Sequence, residues 1–79
     1  MMTNFTFQNA KDENTQELIQ NLKKDWGSEK GVTMKVTSKK VTIDIEPEKI
    51  DPDVWTWTLV LKGIERMLAN YGMDFEVGY

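Results

Sequence analysis

The chain has no cysteine and no histidine, and only one arginine and two prolines among its 79 residues. Each absence closes a class of function or a route to stability. Without cysteine there is no disulfide framework and no thiolate zinc site, so an apolar core must hold the fold unaided. Without histidine as well, imidazole acid–base chemistry, cysteine nucleophiles and nitrogen–sulfur metal sites are excluded. The serines are Ser28 and Ser38, both in turn-like contexts beside lysines. The five glycines stand apart from one another, so no glycine-rich phosphate loop occurs. No apolar run approaches the roughly 18 residues of a membrane span. The opening "MMTNFTF" lacks the charged start and apolar stretch of a secretory signal. A soluble cytoplasmic domain is the resulting expectation, with no membrane partner.

What is present is a mildly acidic mixture, with thirteen acidic and ten basic residues and a formal charge of −3. That balance argues against neutralising nucleic-acid phosphates as the main task, so no direct nucleic-acid partner is expected. Apolar residues make up 39 % of the chain, enough for one small core. With no repeat and no linker-like tract, residues 1–79 read as a single domain.

"NFTFQ" alternates Phe5 and Phe7 with Asn4, Thr6 and Gln8, the pattern of a strand with one buried face. Asn14 is a candidate helix cap, with Glu17 at capping-box spacing. Leu18, Leu22 and Trp26 then follow at helical intervals with Ile19 beside them, and Gly27 supplies a stop. "VTMKVTSKKVTIDIE" is a hairpin. It faces Val36 with Val41, Met34 with Ile43 and Val32 with Ile45. The turn lacks Gly or Asn, which favours a four-residue loop over the two-residue turn at Ser38-Lys39.

"VWTWTLVL", residues 54–61, carries two periodicities at once. It alternates like a strand, yet it also opens a 3-4-3-4 series through Val54, Trp57, Leu61, Ile64, Leu68 and Tyr71. The preceding Asp51-Pro52-Asp53 is a helix-start signal, so a helix from about Pro52 to Tyr71 is expected, ended by Gly72. "MDFEV" then makes a final strand, with Met73, Phe75 and Val77 on one face.

The order β-α-β-β-α-β predicts an α+β, ferredoxin-like sandwich. It has a four-stranded antiparallel sheet in spatial order 4-1-3-2, with two helices on one face. The uncovered face then carries Asp44, Glu46, Asp74 and Glu76 among threonines and amides, with Lys35 as its cation. RNA-recognition domains of this architecture present aromatics there, but Phe5, Phe7 and Phe75 fall on the opposite face. Acylphosphatases use a first-loop arginine, whereas Arg66 lies far along the second helix. The carboxylates of "DIEPEKIDPD" lack EF-hand spacing and read as a solvated corner, so neither a metal nor a cofactor is expected.

Trp55 and Leu59 are i, i+4 neighbours off the core stripe, near Lys62 and Arg66. They form an interaction patch if exposed, or a local packing contact over the helix start if not. The expected function is a non-enzymatic protein-binding module. Its candidate partner-binding residues are Asp44, Glu46, Asp74, Glu76, Trp55 and Leu59. In its sharper form it is an acidic inhibitor occupying a basic surface of a nucleic-acid-binding partner. The alternative is a regulatory or ligand-binding domain that self-associates through a sheet edge, as a homodimer.

Overall fold

A computed structural model describes residues 2–50 and 57–78. Strand β1 (Thr3–Gln8) is followed by helix α1 (Glu13–Trp26), then by the hairpin of β2 (Val32–Val36) and β3 (Lys40–Ile45). A short 3-10 turn (Pro47–Lys49), helix α2 (Trp57–Asn70) and strand β4 (Phe75–Gly78) complete the chain. All strand pairings are antiparallel, in the order β2-β3-β1-β4, which is the expected 4-1-3-2 arrangement. The expected hairpin register is present, with Val36 opposite Val41 and Val32 opposite Ile45.

The alternation of β1 and β3 sends Phe5, Phe7, Val41, Ile43 and Ile45 to one side, where they are fully buried. Leu18, Ile19, Leu22 and Trp26 of α1, with Val60, Ile64 and Leu68 of α2, join them in one apolar cluster. Both helices therefore cover the same sheet face. Phe5 and Phe75 meet edge to face, with ring centroids 5.6 Å apart. Trp57 packs against this cluster without being fully buried, and its indole nitrogen is enclosed with no acceptor. Trp26 lies on Gly63, where any β-carbon would stand 2.7 Å from the indole. The glycine is what lets the two helices meet there.

Trp57–Leu61 is helical, so the strand alternative for "VWTWTLVL" fails over those residues. The Asp-Pro-Asp start and Trp55 lie outside the described residues. Four further expectations are corrected. First, α1 begins after Asp12, and Asn14 is not its cap: its Nδ2 donates to the Tyr71 carbonyl at 3.0 Å, tying α1 to the end of α2. Asn21, two turns on, donates to the Tyr71 hydroxyl.

Second, the hairpin turn is the tight one, with Ser38 and Lys39 separating Thr37 from Lys40. The Thr37 amide donates to the Lys40 carbonyl at 2.9 Å. In place of a glycine, the Thr37 hydroxyl accepts the amides of Lys39 and Lys40 and satisfies the turn. Third, Val36 and Val77 occupy the helix side of the sheet but are 45 % and 39 % exposed. They sit on the two edge strands, and unlike Val32, Met34 and Phe75 of those strands they do not pack against the apolar cluster.

Fourth, the last strand starts at Phe75, because Met73 belongs to the end of α2. Its amide reaches the Leu68 carbonyl at 3.0 Å while Gly72 donates to Ala69 at 2.9 Å, a Schellman pair. Gly72 has the positive φ of 65° that this motif needs.

Candidate functional site

The uncovered sheet face is built by strand register. One row runs Glu76, Thr6, Thr42, Lys35 across the four strands, and the next runs Gly78, Asn4, Asp44, Thr33. Gln8 pairs with Lys40 at the end of the sheet. Because successive side chains alternate, Lys40 shares this face with Thr42 and adds a cation that the sequence reading had overlooked. Its spacing two residues before Thr42 is the signal that would have found it.

The four carboxylates of this face separate into two kinds. Asp44, in the second row between Asn4 and Thr33, is only 8 % exposed, and its carboxylate lies 3.4 Å from the Lys35 ammonium. The expectation that Asp44 points freely to water is therefore corrected: a central strand surrounds it with neighbours, and Lys35 neutralises it. Glu46 is engaged by Lys49 at 3.2 Å on the adjoining 3-10 turn. Asp74 and Glu76, by contrast, are exposed and make no ion pair with any described residue. The unpaired negative charge of the face thus lies at the start of β4, on Glu76 and on Asp74 just before the strand.

Leu59 projects from the first turns of α2 at 53 % exposure, with Lys62 and Arg66 also exposed on later turns. Its expected partner Trp55 lies outside the described residues. Asp44, Glu46 and Glu48 do not converge: among the described residues no group of three or more acidic side chains could hold a metal ion. No described helix is long and apolar enough to cross a membrane. Ser38 sits in the hairpin turn and Ser28 just past α1, both exposed.

The lysines are as unevenly placed as the acids. Residues 23–40 contain six lysines against Asp25 and Glu29, a local charge of +4, so the rest of the chain carries −7 to make up the total of −3. That segment runs from the last turn of α1 through β2 to the start of β3. The lysine surplus thus lies around β2, while the unpaired carboxylates of the open face, Asp74 and Glu76, lie at β4. The chain matches no protein-family model, no curated protein and no solved structure.

Proposed function

We propose that this chain is a non-enzymatic protein-binding module of ferredoxin-like architecture. It meets a basic partner surface with the β4 side of its open sheet face. The observation that carries this reading is the pair Asp74 and Glu76, exposed and free of ion pairs among the described residues, with Glu76 held opposite Thr6 in the sheet and Asp74 just before β4. Asp44 and Glu46 serve as a neutralised flank instead of the leading charges. A partner that itself binds nucleic acid would offer the matching basic surface, and the domain would act as its inhibitor. The absence of histidine and cysteine supports the non-enzymatic part.

Complementary charge of this kind chiefly accelerates association and is screened by salt. The test is a tagged pull-down followed by association kinetics on the captured protein at two salt concentrations. Asp74→Lys with Glu76→Lys should slow association by about tenfold and remove its salt dependence. Unchanged rates would refute the β4 assignment.

The lysine surplus around β2 and the unpaired carboxylates at β4 favour one second reading, in which Asp74 and Glu76 of one copy meet the β2 lysines of another. Such self-association would suit a regulatory or ligand-binding domain. Solution mass across a concentration series tests it.

A further inference from the structure

The β2 edge combines three properties not used by the acidic face: open backbone groups, an apolar notch and a surplus of lysine. The backbone groups follow from the ladder. The Glu46 amide donates to the Gly31 carbonyl at 2.8 Å and the Thr37 amide to the Lys40 carbonyl at 2.9 Å. In an antiparallel pair, hydrogen-bonded residues alternate with residues whose amide and carbonyl point away. Thr33 and Lys35 therefore face β3, while Val32, Met34 and Val36 face outward. The Val32 amide is already taken by the Glu29 carbonyl at 3.2 Å. Met34 and Val36 thus present their amides and carbonyls along the terminal strand of the sheet.

The same two residues send their side chains to the helix side. There a notch of ≈ 200 Å³ opens between β2 and the last turns of α1, lined by Leu22, Trp26, Val32 and Met34 with Lys23 at its rim. That volume suits one large aliphatic side chain. The segment enclosing the notch, residues 23–40, is the +4 sector of an otherwise acidic chain.

We infer that the β2 edge is a strand-addition site for an extended acidic peptide carrying one apolar anchor. The peptide backbone pairs with Met34 and Val36. A peptide residue opposite Met34 lies on the helix side and enters the notch, while its neighbours fall on the open face, which carries Lys40 and, already paired with Asp44, Lys35. Acidic residues at those neighbouring positions match the lysine surplus. This site lies at the opposite edge from Asp74 and Glu76 and takes a partner of opposite charge, so it stands or falls separately from the β4 reading. Peptide is favoured over nucleic acid because the aromatic ring beside these lysines, Trp26, is buried in the core and offers no face for base stacking.

The test uses the whole chain and a fluorescein-labelled nine-residue peptide with a central leucine flanked by glutamates. Anisotropy titration and amide chemical-shift mapping are the readouts. Saturable binding with the largest shifts at Met34 and Val36 is expected. Val36→Pro removes an outward amide that the β2–β3 ladder does not use, so the fold should survive, as circular dichroism would verify, while affinity falls at least about tenfold. Lys40→Glu, on the same open face as the peptide's glutamates, should weaken binding and flatten its salt dependence, and a peptide with lysines in place of the glutamates should bind at least about tenfold more weakly. Each of these results would overturn the inference: no binding at about 1 mM peptide, shifts confined to β4 or the open face, a folded Val36→Pro that binds normally, or displacement of the peptide by a single-stranded oligonucleotide. Concentration-dependent dimer mass abolished by Val36→Pro would assign the edge to a second copy instead, and would equally overturn it.

Discussion

Gly63→Ala sets two well-defined effects against each other. In an open helix the change is favourable, because alanine is a better helix former than glycine by about 0.8–1.0 kcal/mol. Here the added methyl would stand 2.7 Å from Cζ2 and 3.2 Å from Cη2 of Trp26. Carbon contacts relax only near 3.5–4.0 Å, so the indole must retreat into a cluster that includes Leu22 and Val60. Overpacking of this sort costs about 1–3 kcal/mol. Taking the middle of that range, the net effect is a loss of about 1 kcal/mol, or a fall in Tm of about 4–8 °C for a domain of this size. Urea denaturation followed by far-ultraviolet circular dichroism measures it. The decisive comparison is a Trp26→Phe background, where the outer ring atoms are gone. There Gly63→Ala should turn stabilising by about 0.8 kcal/mol, a coupling of about 2 kcal/mol between the sites. A loss of the same size in both backgrounds would show that the Trp26–Gly63 contact does not set the cost.

Three further outcomes follow from the same packing. Gly72→Ala should destabilise by about 1 kcal/mol and Gly72→Asn by much less, since the φ of 65° is the sole obstacle and no atom lies within 4 Å of an added β-carbon; thermal melts of the two variants would separate backbone strain from clash. Trp57→Phe should cost under about 1.5 kcal/mol because it removes an enclosed indole N–H that has no acceptor, whereas Trp57→Ala should cost about 3 kcal/mol, as read by urea midpoints. Asp44→Lys should lower Tm clearly more than Asp74→Lys or Glu76→Lys, because it puts a second ammonium beside Lys35 at a position only 8 % exposed; equal melts would show Asp44 to be an ordinary surface charge.

The parts legible in the sequence were those fixed by local periodicity. Phe5 and Phe7 against Asn4 and Thr6 identified a strand and its buried face, and the matched valines of "VTMKVTSKKVTIDIE" set the hairpin register. What escaped depends on groups brought together from distant parts of the chain. Asn14 looks like a cap when read locally, but the carbonyl it serves belongs to Tyr71, at the far end of the other helix. Thr37 replaced a missing turn glycine through its hydroxyl, a role that composition statistics for hairpins do not register. The candidate site was legible only in outline. Alternation placed Asp44 on the open face, but its enclosure arises from strand neighbours and from Lys35. The lysine surplus of residues 23–40 was visible in the letters. It acquired meaning only when Met34 and Val36 were found at an edge beside an apolar notch.

The placement of β1 bears on how the chain must fold during synthesis. The first strand to be made ends up inside the sheet, where Asn4 is flanked by Asp44 on one side and Gly78 on the other. Both neighbours are far along the chain, so the β1 phenylalanines stay unpaired until distant residues emerge. The β2–β3 hairpin can form earlier because its partners are adjacent, and β1 docks onto it later. Closure by β4 comes only with the last residues of the domain. Such long-range pairings slow folding, since loop entropy is spent before any contact compensates for it. A nascent chain halted before Phe75 would leave β1 as an open sheet edge and Phe5 without its edge-to-face partner, so β4 is the element that completes the sheet.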